Sequence, residues 1–146
     1  MTNPTSVDIS SLLVSAGIGV LAAKSGWSIH VSQEPEKPDQ AITLYDTGSW
    51  REPHPALLLD FPSMQVKVRG APGKYAEAHE KIWSIRELLL GLSPQTINGT
   101  YYSGVWVMSD IFHVANDENN RPMLTINFRI SREPEQVSGD NRQPLS

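Results

Sequence analysis

The sequence predicts an α+β fold: a mainly antiparallel sheet with a long C-terminal hairpin, packed by two helices at about 7–24 and 72–91. Three observations point there. Tyr75, Ala78, Ile82, Ile85, Leu89 and Leu92 recur at steps of three and four, which keeps them on one helical face. Thr100–Ser109, rich in aromatic and β-branched residues, and Met123–Ser131, where Leu124, Ile126, Phe128 and Ile130 alternate with Thr125, Asn127 and Arg129, flank the polar turn Asn116–Pro122 and read as a hairpin. Strands and helices do not alternate regularly, which disfavours a doubly wound parallel sheet.

The first helix is expected over Val7 to about Lys24, capped by Ser6 or Asp8, with Ile9, Leu12, Leu13, Ala16, Val20 and Ala23 as its apolar stripe. Gly17 and Gly19 weaken it by about 1 kcal/mol each relative to Ala, and small residues there let another backbone come close. Trp27–Ser32 and Ala41–Asp46 alternate as strands. Thr47–Pro55, with a glycine and two prolines, is expected to be an irregular excursion, followed by a short extended piece at Leu57–Asp60. Met64–Arg69 alternates cleanly, with Met64, Val66 and Val68 on one face and Gln65, Lys67 and Arg69 on the other.

In the second helix, Pro72 fits the first position, Gly91 fits a left-handed residue after the last turn, and Glu77 stands one turn before Lys81 as an ion pair. Ala76, Trp83 and Leu90 stack at steps of seven beside the main stripe. Either the helix is buried over a wide arc, or this line is a second contact surface for another subunit. Asn98-Gly99 marks a tight turn. One domain is expected over 1–133, with 134–146 a disordered polar tail.

Composition narrows the function. A net charge of −4 over 146 residues argues against broad phosphate-backbone binding, which needs a basic face. The absence of cysteine excludes thiolate metal sites and Cys nucleophiles. The apolar run Leu12–Ala23 follows Asp8 and no basic residue, so neither an export signal nor a membrane span is expected. His30, His54, His79 and His113 lack metal-ligand spacing. Asp110, Asp117 and Glu118 are expected to form a solvated turn whose side chains bond their own backbone. No nucleophile elbow, phosphate loop or dinucleotide motif occurs.

The order of segments carries more. Ile42-Thr43-Leu44-Tyr45-Asp46-Thr47-Gly48 is followed by Leu59-Asp60-Phe61-Pro62 and Val66-Lys67-Val68-Arg69-Gly70. Then come Tyr75 with the helix to Leu90-Gly91-Leu92, Asn98-Gly99-Thr100-Tyr101-Tyr102, Asn120-Arg121-Pro122 and Asn127-Phe128-Arg129-Ile130-Ser131-Arg132. Over about residues 7–133 this series resembles the minor capsid, or tail-terminator-like, proteins of tailed bacteriophages. His113-Val114-Ala115-Asn116 departs from the Leu-Gly pair of such relatives.

The resemblance implies a structural protein without catalytic residues, metal or cofactor. Such proteins form a ring of copies, commonly six, that caps the finished tail tube and meets the connector beneath the head. The expected partners are therefore other copies of the chain, the major tail tube protein, the head–tail connector and, weakly, passing DNA, with no membrane. The expected place is the virion neck, after synthesis in the host cytoplasm. Trp50, Ala76, Trp83 and Leu90 are the candidate subunit-interface residues, and Lys67, Arg69 and Arg129 the candidates for a DNA-facing lumen. The rival readings are a head–tail connector or other neck protein, a small metal-dependent enzyme using Asp60, Asp110 or Asp117, and a nucleic-acid-binding module built on Tyr101, Tyr102 and Trp106 beside Lys67 and Arg69.

Overall fold

A computed structural model describes residues 2–54 and 59–134. The elements run α1 (Thr5–Ser15), β1 (Val20–Leu21), β2 (Ser28–Val31), β3 (Ala41–Ser49), β4 (Pro62–Arg69), α2 (Tyr75–Leu90), β5 (Gln95–Ile97), β6 (Thr100–Asn116) and β7 (Pro122–Glu133). One seven-stranded sheet takes the order β1-β2-β3-β4-β7-β6-β5. β1, β2 and β3 pair in parallel, and every other neighbour is antiparallel.

Register explains which face is buried. Leu21, Ile29, Ile42, Val68, Leu124 and His113 form one cross-strand row, and Leu44, Val66 and Ile126 another. Both helices pack on this face. Ile9 and Leu13 of α1, with Ala78, Ile82, Ile85 and Leu89 of α2, are fully buried against it. Burying each of Ile82, Ile85 and Leu89 contributes about 1.5–3 kcal/mol. The opposite face carries Thr43, Lys67 and Thr125 in one row and Tyr45, Gln65 and Asn127 in the next.

The first helix is shorter than its apolar stripe implies. It ends at Ser15, and Gly17 turns the chain at φ +77°. Val20 and Leu21 then form the edge strand beside β2. Gly19 permits that return: a Cβ there would stand 2.9 Å from the Trp27 carbonyl oxygen and 3.0 Å from Ile29 Cγ1. Neither expected cap serves α1. Pro4 precedes the helix, and Ser6 donates its amide (3.0 Å) and hydroxyl (2.5 Å) to Asp46 of β3. Asp8 turns inward, fully buried, and accepts from the Tyr102 hydroxyl and Asn98 Nδ2. A carboxylate from a distant strand thus caps the helix in place of a local one.

The second helix begins at Tyr75, after Pro72 has been spent in the preceding turn, and Gly91 ends it with φ −86° rather than left-handed. Glu77 accepts from Gln40, and Lys81 donates to the Ile18 carbonyl at 3.0 Å, so tertiary partners replace the expected i,i+4 pair. Asn98 (φ +50°) and Gly99 (φ +85°) make the tight turn, but it joins β6 to a strand, β5, that the sequence pattern did not announce. Thr47-Gly48-Ser49 belongs to β3 rather than to the excursion. Leu59 and Asp60 bridge to His54 and Arg132; Leu57, Leu58 and residues 135–146 of the expected tail lie outside the described residues.

Gly70 sits where β4 hands over to α2. A Cβ there would stand 2.8 Å from Ala78 Cβ and 3.1 Å from Pro122 Cγ. Gly70→Ala is therefore expected to lower stability by about 1–3 kcal/mol through overpacking. A drop in the urea midpoint with an unchanged slope will show it; an unchanged midpoint would mean the junction yields.

Candidate assembly interface

α2 presents two different faces. Its core face is sealed, whereas Ala76, Trp83 and Leu90 are exposed, Trp83 by 47% and Leu90 by 38%. Wide-arc burial is thereby ruled out, and the line at steps of seven is surface. Tyr75, expected in the buried stripe, is exposed as well. It begins a ladder of rings: Tyr75 to His79 at 6.1 Å, His79 stacked on Trp83 at 6.4 Å, and the Arg86 guanidinium 4.7 Å over Trp83. His113 of β6 meets Tyr75 edge-on at 4.9 Å, which joins the ladder to the sheet margin.

Arg86 fixes that margin. Its Nε donates to Asp110 at 2.9 Å and its Nη1 to Glu87 at 2.6 Å. The hydrogen bond from Arg86 and the Ile111 amide hold the Asp110 carboxyl below the usual range. β6 itself is irregular, with four register shifts against β7. Met108 and Val114 fall within two of these shifts and are about half exposed, and Phe112 is 64% exposed.

Trp50 lies elsewhere and works within the chain. Its indole N–H donates to the Ile130 carbonyl at 2.8 Å, and its ring meets Phe61 at 5.2 Å and Trp106 at 6.3 Å. Exposed Arg129 stands 5.4 Å over the Trp50 ring. Lys67 pairs with Glu34 at 2.7 Å. Arg69 does not fit a DNA-facing role: it is 2% exposed, and its guanidinium is spent on Glu34 and on the carbonyls of Glu36, Pro38 and Asp39. Alternation places Arg69 on the polar face, but it cannot show that a loop folds over that face.

The three aspartates of the enzyme reading do not converge. Asp60 bridges to Arg132 near one end of β7, and Asp117 holds Arg121 beside the other, roughly 35 Å away at ordinary strand rise. Asp110 belongs to Arg86 between them. Among the described residues, no group of three or more His, Asp or Glu side chains could hold a metal ion. Tyr102, part of the nucleic-acid reading, is buried, and burial and Asp8 raise its hydroxyl pKa. No helix among the described residues is long and apolar enough to cross a membrane.

Asp117 behaves as a turn residue. It accepts from the Asn119 and Arg121 amides at 2.9 Å each and from Arg121 Nε at 2.8 Å. Burial pushes its carboxyl up, but these donors together hold it below its ordinary 3.8. A depressed carboxyl stabilises the fold at neutral pH and loses that contribution as pH falls through its folded value. The stability gap between wild type and Asp117→Asn, read as urea midpoints, is expected to stay constant from about pH 7 to 5 and to narrow below about pH 4. A gap that persists at lower pH would take the anchoring role from this carboxylate.

The described residues thus leave apolar side chains exposed on the outer face of α2 and along β6 of an α+β sheet. The model of the bacteriophage tail terminator proteins matches residues 12–134, and the chain belongs to that family, as the order of segments suggested. Among solved structures, the fold is similar to a chain of the virion of a native gene transfer agent particle, with 14% sequence identity and a TM-score of 0.68, over 89% of this chain and 95% of that one. The comparison with curated proteins finds no match. Membership of that family makes the chain a structural protein of the bacteriophage tail.

Proposed function

We propose that copies of this chain close into a ring, six in the arrangement common to such proteins, that caps the finished tail tube and joins it to the head connector. One observation carries the reading beyond family membership. α2 buries one face completely yet leaves Ala76, Trp83 and Leu90 uncovered on the other. A helix with apolar residues outside its core stripe is suited to bury them against a neighbour. The action is surface complementarity. Trp83 is the anchor, because aromatic side chains bury large area at interfaces; Ala76 and Leu90 flank it.

Lys67 and Arg129 are proposed to face the lumen. Both lie on strands at the helix-free side of the sheet, beside Gln65 and Asn127. Glu34 neutralises Lys67, so the net attraction for DNA is small. Weak, sequence-independent contact suits a conduit, since firm phosphate binding would hold the DNA back.

Particles assembled without this protein are expected to show overlong tails detached from heads. Trp83→Asp is expected to fold with a loss of about 1 kcal/mol, from the lost contacts with His79 and Arg86, yet fail to complement the deletion. Electron microscopy of tail length and urea denaturation read the two outcomes. Normal-length tails joined to heads in the absence of the protein would refute the function. Normal-length tails that merely lack heads would make it a connector instead.

A further inference from the structure

We infer that the β1 edge of one copy seats against the β6 edge of the next, so that the ring closes head to tail through opposite ends of one sheet. The inference rests on the proposed ring and adds the mating surface that the Trp83 face requires. Its ground is where apolar surface is left uncovered. Among the described residues, large exposed apolar side chains fall at the two ends of the sheet and not on its middle strands. Val14, Val20 (62%) and Leu21 (58%) mark the α1–β1 end. Trp83, Met108, Phe112 and Val114 stand out at the α2–β6 end.

Both ends are also strand edges. β1 pairs with β2 alone. β5 covers β6 only from Thr100 to Tyr102, which leaves the longer part of β6 paired with β7 alone. The two ends are unlike each other. A contact between unlike patches repeats head to tail and generates a ring or a filament, whereas a self-matched patch would stop at a dimer.

Faces and charges agree with this pairing. Val20 shares its row with Ser28, Ala41 and Arg69, on the side away from the helices, and Phe112 shares that side through Thr125, Lys67 and Thr43. Leu21 lies in the row of Ile29, Ile42 and Val68, on the helix side with Trp83. Edge-to-edge placement therefore sets apolar against apolar on both faces at once. Exposed Lys24 follows β1, while the exposed carboxylates of Glu87 and Asp110, with Arg86 between them, border the other end. Lys24 is thus opposite in sign to the Glu87 and Asp110 carboxylates it would approach. The four register shifts spoil the β6 edge as a template for indiscriminate strand addition, which leaves recognition to the side chains.

The chain has no cysteine, so introduced thiols report contacts without background. Val20→Cys and Phe112→Cys are made singly and together, both at exposed positions, and treated with a short bis-maleimide in assembled particles. The double variant is expected to give a ladder of covalent multimers ending at the ring. Each single variant is expected to stay monomeric, and particles holding a mixture of the two singles to give dimers and nothing larger. Cross-linking of Phe112→Cys alone would show two β6 edges facing each other and overturn the inference. So would a double variant that enters particles and does not cross-link. A missing ladder in particles with tails of correct length strikes the interface and spares the function. A ladder in particles whose tails are normal without the protein does the reverse.

Discussion

Seven strands give the sheet one apolar face that has to be covered, and the described residues supply two helices for it. Strands about 4.8 Å apart make a sheet roughly 29 Å wide, whereas two helices of about 10 Å each cover roughly 20 Å. The shortfall has to appear somewhere. α1 packs mainly on β2 and β3 and more thinly on β1 and β4, α2 takes β7, β6 and β4, and the cover thins toward the margins. Residues above the centre, such as Ile42, Val66, Ile126 and Ile82, are fully buried, while Leu21 and Trp83 are left near the edges. The exposure of Leu21 on the covered face therefore follows from the element count, whereas Val20 and Phe112 are exposed on the helix-free side.

The polar interactions sharpen this division. Arg69 and Arg121, both nearly inaccessible, clamp the segment from Glu34 to Asp39 over the helix-free side of the sheet. At the other end of β7, Asp8, Tyr102 and Arg132 form a connected network that ties α1 to β6 and β7. Buried charges are tolerable when each is met by several partners, and truncating one partner leaves the other exposed to the full desolvation penalty. The clamps thus fix the middle of the molecule and leave its two margins as the places where new contacts can form.

The core stripe of α2 and the alternation of β4 and β7 were legible because one side of each is buried, and burial writes its period into the chain. The Asp117 turn was legible because an Asp and its neighbouring amides need no distant partner. The rest depended on long-range contacts. The stripe through Val20 and Ala23 kept helical spacing, but nothing in it could say that Gly17 would reverse the chain toward β2. Ser6 and Asp8 are good capping types, yet Asp46 and Tyr102 claimed them from far along the sequence. Arg69 alternated as an outward residue and was buried by a loop. For Trp83 the spacing defined a line beside the core stripe, and only the packed structure could decide whether that line was covered.

A terminator has to stop growth, and the uncovered margins suggest how one surface economy serves that end. In the proposed ring each copy offers two unlike apolar ends and receives two. Once the circle closes, the edges that would recruit another copy in the plane are consumed. Closure depends on the rotation between neighbours, and a bulged edge such as that of β6 favours a rotation where a flat edge favours a translation. The irregularity of β6 thus has two consequences from one cause. It denies the edge to stray strands, and in the proposed ring it favours a curved path that closes on itself. The apolar residues at the two ends of the sheet then become, in the proposed ring, the means by which the assembly closes.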